Sequence, residues 1–194
     1  MFTGTSGGVW AKPEEAAHWR QLYFPPTVYR DPTIIVLNWV GVFPTPGFVE
    51  EFLVPLARAI QGGAYGNLTL VVRTHDPGVC RFIQYLGRVH GLPIYVELVR
   101  LGVHGIAYDA EVLAAIALTK TEQDSLEVIR EHRTGMTSSQ VALEEGIAQT
   151  AALNRLSKLA EKRMVMRFAM PGRAGDVYVD PIAVVKMFET TSTE

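Results

Sequence analysis

Between residues 33 and 98 the chain alternates strand-length apolar runs with stretches of helical spacing, and this rhythm most narrows the folds open to it. Thr33–Val40 (TIIVLNWV), Leu68–Val72 (LTLVV) and Leu92–Leu98 (LPIYVEL) are apolar at successive positions, not at alternate ones. A strand apolar on both faces has to be covered on both, as in a parallel sheet layered with helices. The intervening segments supply those helices. Gly47–Ile60 sets Phe48, Phe52, Leu56 and Ile60 on one helical face. Asp76-Pro77 offers an N-cap followed by a proline at the first helical position, for a helix reaching about Val89 and closed by Gly91. Pro55 predicts a break in the earlier helix. The expected N-terminal half is a small parallel α/β sheet with right-handed crossovers.

The flanking segments are less regular. Met1–Gly8 is rich in Gly, Ser and Thr and reads as frayed, Lys12–Tyr23 reads as a short helix, and Phe24–Pro32 reads as extended or looped. Residues 1–32 are therefore set apart from an α/β domain over 33–100. Leu101–Ala107 reads as a connector, and Asp109 as the cap of a short apolar helix over Ala110–Leu118. That gives a connector over 101–120 and a second domain over 121–194.

Composition removes several classes of function. A chain 48% hydrophobic and 20% charged has enough apolar surface for packed cores. Cys80 is the only cysteine, which excludes an intramolecular disulfide and argues against a cysteine-based zinc site. His18, His90, His104 and His132 lack metal-ligand spacing, and neither a metal nor a cofactor is expected. No secretory leader is visible at Met1–Gly8, and no apolar run approaches the roughly 20 residues of a membrane helix. The expectation is a soluble cytoplasmic protein with no membrane partner.

The last third carries the clearest functional pattern. Thr121-Glu122-Gln123-Asp124 has the form of a capping box ahead of a helix that Gly135 stops. Thr137 or Ser138 caps a second helix, Ser139–Glu145, and Gly146 allows a sharp turn into a third, Gln149–Lys162. In that third helix Ala152, Leu153, Leu156, Leu159 and Ala160 gather on one side, with Thr150, Ala151, Asn154, Arg155 and Lys158 on or beside the other. A helix with a slim polar leading half suits the major groove, where Asn pairs with adenine and Arg with guanine. Met164–Met170, a Pro-Gly-Arg-Ala-Gly turn and Asp176–Val179 then read as a hairpin with a basic tip, and Pro181–Phe188 as a final helix suited to dimerisation. From Gln149 to Arg173 there are six basic residues (Arg155, Lys158, Lys162, Arg163, Arg167, Arg173) against one acid, Glu161, a local balance of +5 within a chain of net charge −2. Glu144 and Glu145, near the turn, would repel phosphate if they faced it.

Thr137–Asp180, with TAALNRLSKLAEKRMV leading into GRAGDVYV, resembles the winged helix-turn-helix of bacterial regulators of the MarR and ArsR type; with Thr121–Arg133 as its first helix the resemblance covers about Thr121–Pro181. The resemblance implies an α+β winged domain that binds double-stranded DNA. Asn154 and Arg155 would read bases, while Gln149, Thr150, Lys158, Arg167 and Arg173 would complete the contact surface. IIVLNWVGVFPTPGFVEEFL resembles the strand–loop–helix of STAS-like domains, in some of which a Ser or Thr of this loop is phosphorylated. Thr45 is the nearest position, although the usual Asp-Ser-Ser/Thr-Gly pattern is missing. At the carboxyl ends of the expected strands, where open α/β sheets bind ligands, Thr45, His75 and Asp76 are the candidate ligand or modification residues. There is no GxGxxG, GxxxxGK[ST] or GxSxG, and an enzyme is not expected. The expectation is a DNA-binding transcriptional regulator, a homodimer whose α/β domain senses an unidentified effector or mediates oligomerisation. The alternative is a protein-interaction adaptor in a signalling or defence operon.

Overall fold

The computed structural model describes residues 2–3, 13–25, 27–102, 105–170 and 175–191, with backbone only at 2–3, 13–14, 101–102, 105–113 and 188–191. The chain is α/β and divides into two compact units, Met1–Ala117 and Leu118–Glu194.

The first unit is built on a five-stranded sheet. Strands β1 (Phe2–Thr3), β2 (Tyr29–Asn38), β3 (Gly66–Thr74), β4 (Ile94–Gly102) and β5 (Gly105–Ala114) lie side by side in sequence order. β1 to β4 are parallel and β5 returns antiparallel to β4. Helix α2 (Pro46–Gln61) connects β2 to β3, and α3 (Pro77–His90) connects β3 to β4. Helix α1 (Pro13–Tyr23) packs against α2, which also packs against α3. Leu37, Leu68, Leu70, Val72, Ile94 and Val96 join the helices in one core. The alternate positions Val71, Tyr95 and Val99 are buried as well, so the apolar runs of β3 and β4 mark strands buried on both faces, whereas on β2 Ile34 and Val36 are only partly buried.

Four expectations for this unit are corrected. Phe2–Thr3 is not frayed but pairs with Leu37–Asn38. Strand β2 starts at Tyr29, not Thr33, and takes in Pro32 where the pairing with β3 slips between Tyr29 and Thr33; an irregularity of that kind is where a strand tolerates a residue with no N–H. Helix α2 runs unbroken through Pro55. Pro55 cannot donate to the Glu51 carbonyl four residues back, and the Arg20 guanidinium of α1 donates to that carbonyl instead. The fourth correction is the largest: residues 105–114 are a strand, not a connector and the start of a helix.

The second unit runs α4 (Lys120–Glu131), β6 (Met136–Thr137), α5 (Ser138–Glu145), α6 (Gln149–Glu161), β7 (Met166–Phe168), β8 (Val177–Val179) and α7 (Pro181–Thr191). The three strands form an antiparallel sheet in the order β6-β8-β7. Ile129, Val141, Ala152, Leu156, Leu159 and Met164 are fully buried here. The α4 cap is Thr119, two residues before the expected Thr121. Its hydroxyl accepts from Glu122 N while Glu122 accepts from Thr119 N at 2.8 Å. Thr137 caps α5 with Gln140 in the same reciprocal way. Gly146 has φ +66°, and Ile147 N donates back to Ala142 O at 3.0 Å, closing α5 so that α6 can begin three residues later.

Candidate nucleic-acid interface

Helix α6 is held at its middle and at its C-terminal end. Near its middle, Arg155 Nη1 lies 2.5 Å from Glu145 Oε2 at the end of α5, with the Glu145 side chain only 8% exposed. Just beyond its last turn, Lys162 Nζ donates to both Glu122 oxygens at 2.8 Å, at the start of α4. Burial alone would raise the Glu122 pKa. The Lys162 ammonium and the Thr119 backbone N–H and hydroxyl outweigh it and hold the carboxyl below its ordinary range. The helix closes with Arg163 at φ +57°, and Arg163 N and Met164 N donate to Ala160 O and Leu159 O.

This anchoring fixes which face α6 presents. Ala152, Leu156 and Leu159 point into the core, while Gln149, Thr150, Leu153, Asn154 and Lys158 are exposed. At four-residue spacing they form two neighbouring rows, Gln149–Leu153 and Thr150–Asn154–Lys158. Leu153 departs from the expectation that it is core: it is 42% exposed and sits among the polar groups. Among the described residues Lys158 has no acidic partner, whereas Arg155 is drawn to the flank by Glu145. The structure thus brings Gln149, Thr150, Asn154 and Lys158 together on one open face and sets Arg155 beside it in an ion pair.

The hairpin is treated similarly. Arg167 on β7 pairs with Asp176 just before β8, through Nε and Nη2 at 2.5 Å, although its side chain is 57% exposed. Arg173 lies outside the described residues. Of the six basic residues counted along this stretch, Arg155, Lys162 and Arg167 are therefore already paired. The acids at the turn are accounted for by the same pairing: Glu145 faces Arg155, and Glu144 lies 3.0 Å from His132 Nε2. Sequence spacing gave no hint of the Glu145–Arg155 and Glu122–Lys162 partnerships.

In the first unit the three candidate ligand residues are occupied locally. The Thr45 hydroxyl accepts from Phe48 N to cap α2, and Asp76 Oδ1 accepts from Gly78 N and Val79 N to cap α3. His75 Nδ1 accepts from Gly41 N at 3.2 Å, and its ring meets Phe43 edge-on. These contacts join two loops at the carboxyl ends of β2 and β3. A buried charged pair, Arg73 with Glu97 at 2.6 Å, bridges registered positions on β3 and β4. Cys80 is buried in the core. Among the described residues no cluster of three or more His, Cys, Asp or Glu could hold a metal ion, and no helix is long and apolar enough to cross a membrane.

No protein-family model, curated protein or solved structure matches this chain.

Proposed function

We propose that residues 118–194 form a winged helix-turn-helix that binds double-stranded DNA, with α6 in the major groove and the β7–β8 hairpin as the wing. On this reading the chain is a transcriptional regulator of MarR or ArsR character. It binds a two-fold-related site as a homodimer, and the α/β unit serves sensing or oligomerisation. The observation that carries the reading is the α6 face: an open stripe of Gln149, Thr150, Asn154 and Lys158 on a helix locked in orientation by Glu145 and Glu122. Amide and hydroxyl groups read base edges, Lys158 meets phosphate, and a fixed helix loses little freedom on docking. Of the turn acids, Glu145 is drawn onto Arg155, and Glu144 is hydrogen-bonded to His132.

The test is selection from a random-sequence duplex pool, followed by fluorescence anisotropy on the enriched sites. The expected outcome is enrichment of a two-fold-related motif, with affinity lowered at least tenfold by Asn154→Ala plus Lys158→Ala. Failure to enrich any duplex sinks the reading. A second reading, a protein-docking adaptor, draws on Leu143 and Leu153, which are 86% and 42% exposed. A stable protein complex lost in Leu143→Asp and Leu153→Asp variants, with no duplex bound, would favour it.

A further inference from the structure

Conditional on that DNA reading, we infer that α6 recognises A·T base pairs, with Leu153 as a specificity-determining contact to the thymine methyl and no part for guanine in its central contacts. The inference follows from which side chains the unit leaves free. Guanine in the major groove offers two acceptors, N7 and O6, which an arginine or a lysine can take. Arg155 is the only arginine of α6, and its guanidinium is committed to Glu145 at 2.5 Å. Glu145 is poorly placed to let it go: the carboxylate is almost buried, and its other oxygen, Oε1, is buried with no hydrogen-bond partner among the described residues. Withdrawing Arg155 would leave a buried charge with neither oxygen satisfied, which is costly.

The open face that remains carries no guanidinium. Gln149 and Asn154 carry side-chain amides, which match the adenine N6 and N7 pair, and Thr150 carries a hydroxyl and a methyl. Leu153 stands between these residues with two-fifths of its surface open. An exposed leucine in a row of polar groups is unfavourable in water and favourable against the C5 methyl of thymine, an apolar group available in the major groove only at A·T pairs. Lys158, the other cation of α6, lies one turn C-terminal to Asn154 and in the last turn of the helix, away from the N-terminal residues with which a recognition helix contacts bases.

The experiment uses the full chain in the same duplex selection, then repeats the binding measurements with uracil replacing thymine. The expected motif has A·T pairs at the positions protected by α6. Loss of each contacted methyl should weaken binding roughly fourfold. Leu153→Ala should narrow the difference between the thymine and uracil duplexes by the methyl that Leu153 contacts, and an unchanged difference overturns its role. Glu145→Gln, which keeps the side-chain shape and frees Arg155, should raise affinity for a guanine-substituted site by about tenfold relative to the unaltered protein. A motif with guanine at the protected positions, its preference lost in Arg155→Ala, overturns the inference and leaves DNA binding standing. Equal affinity for thymine and uracil duplexes in the unaltered protein overturns the role of Leu153. No enriched duplex removes the DNA reading itself, and the inference with it.

Discussion

Neither Leu153 nor Arg155 keeps the role that a helical wheel assigns it. At about 100° per residue, Leu153 stands about 60° from Leu156 and about 120° from Leu159, at the rim of the apolar arc. Whether a rim residue is buried depends on what packs beside it, and helix periodicity does not carry that information. Arg155 is ten residues from Glu145 across the Gly146 turn, so no i, i+4 rule pairs them. Close approach is equally invisible in sequence at Gly87. A methyl there would overlap the Ala115 methyl and lie 2.6 Å from the Ala115 carbonyl oxygen, where the chain leaving β5 crosses α3. Gly87→Ala is therefore expected to destabilise the first unit by about 2 kcal/mol, by overpacking against backbone. Urea denaturation followed by tryptophan fluorescence would measure it, and a change under about 0.5 kcal/mol would contradict it.

At the scale of elements, those with caps and strong periodicity were legible, and those made by long-range partners were not. Asp76-Pro77 and Gly91 delimit α3 as expected, because the cap hydrogen bonds lie within a few residues of one another. Strand β5 was misread because Ala110–Leu118 is rich in Ala and Leu, which favour helix locally. Antiparallel pairing with β4 over Tyr95–Gly102 overrides that preference. Pro55 misled for a related reason, since Arg20 lies on another helix. The expected consequence is a coupled pair. Arg20→Ala should cost about 1 kcal/mol in the native sequence and close to nothing once Pro55→Ala restores the N–H, as read by a double-mutant cycle. Additive effects would show that the carbonyl bond contributes nothing.

The α4–α6 link has a pH signature. The Glu122 carboxyl is held below its ordinary value, so its contribution is present above pH about 4.5 and lost as pH falls through the lowered value. Lys162→Met should destabilise the second unit by about 2 kcal/mol at pH 7, a difference that shrinks in melts taken progressively below pH 4.5. Asp180 has the opposite sense. Burial raises its pKa against the opposing pull of Arg130, the Ile182 N–H and Lys186. Its contribution is thus greatest at low pH and is lost as pH rises through the raised value. A difference for Lys162→Met that stays constant across the acid range would rule out the pairing as its origin.

For the whole molecule, the α/β class could be read from the order of apolar runs, whereas charge could not. A net charge of −2 and a +5 stretch are both sums over residues, and sums do not register which cations already face a carboxylate. Here Arg155, Lys162 and Arg167 do. DNA is surrounded by condensed counterions, and each basic side chain that reaches a phosphate sets one of them free, adding about 0.9 to the slope of log affinity against log salt. Six free basic residues would give a slope of roughly −5 per bound protomer. With three already paired to carboxylates of the same unit, a slope no steeper than roughly −3 is expected. Titrations of the enriched duplex between about 50 and 200 mM salt would distinguish the two. The internal ion pairs would then be the reason such a protein keeps its grip on DNA at salt concentrations that strip off a more openly basic one.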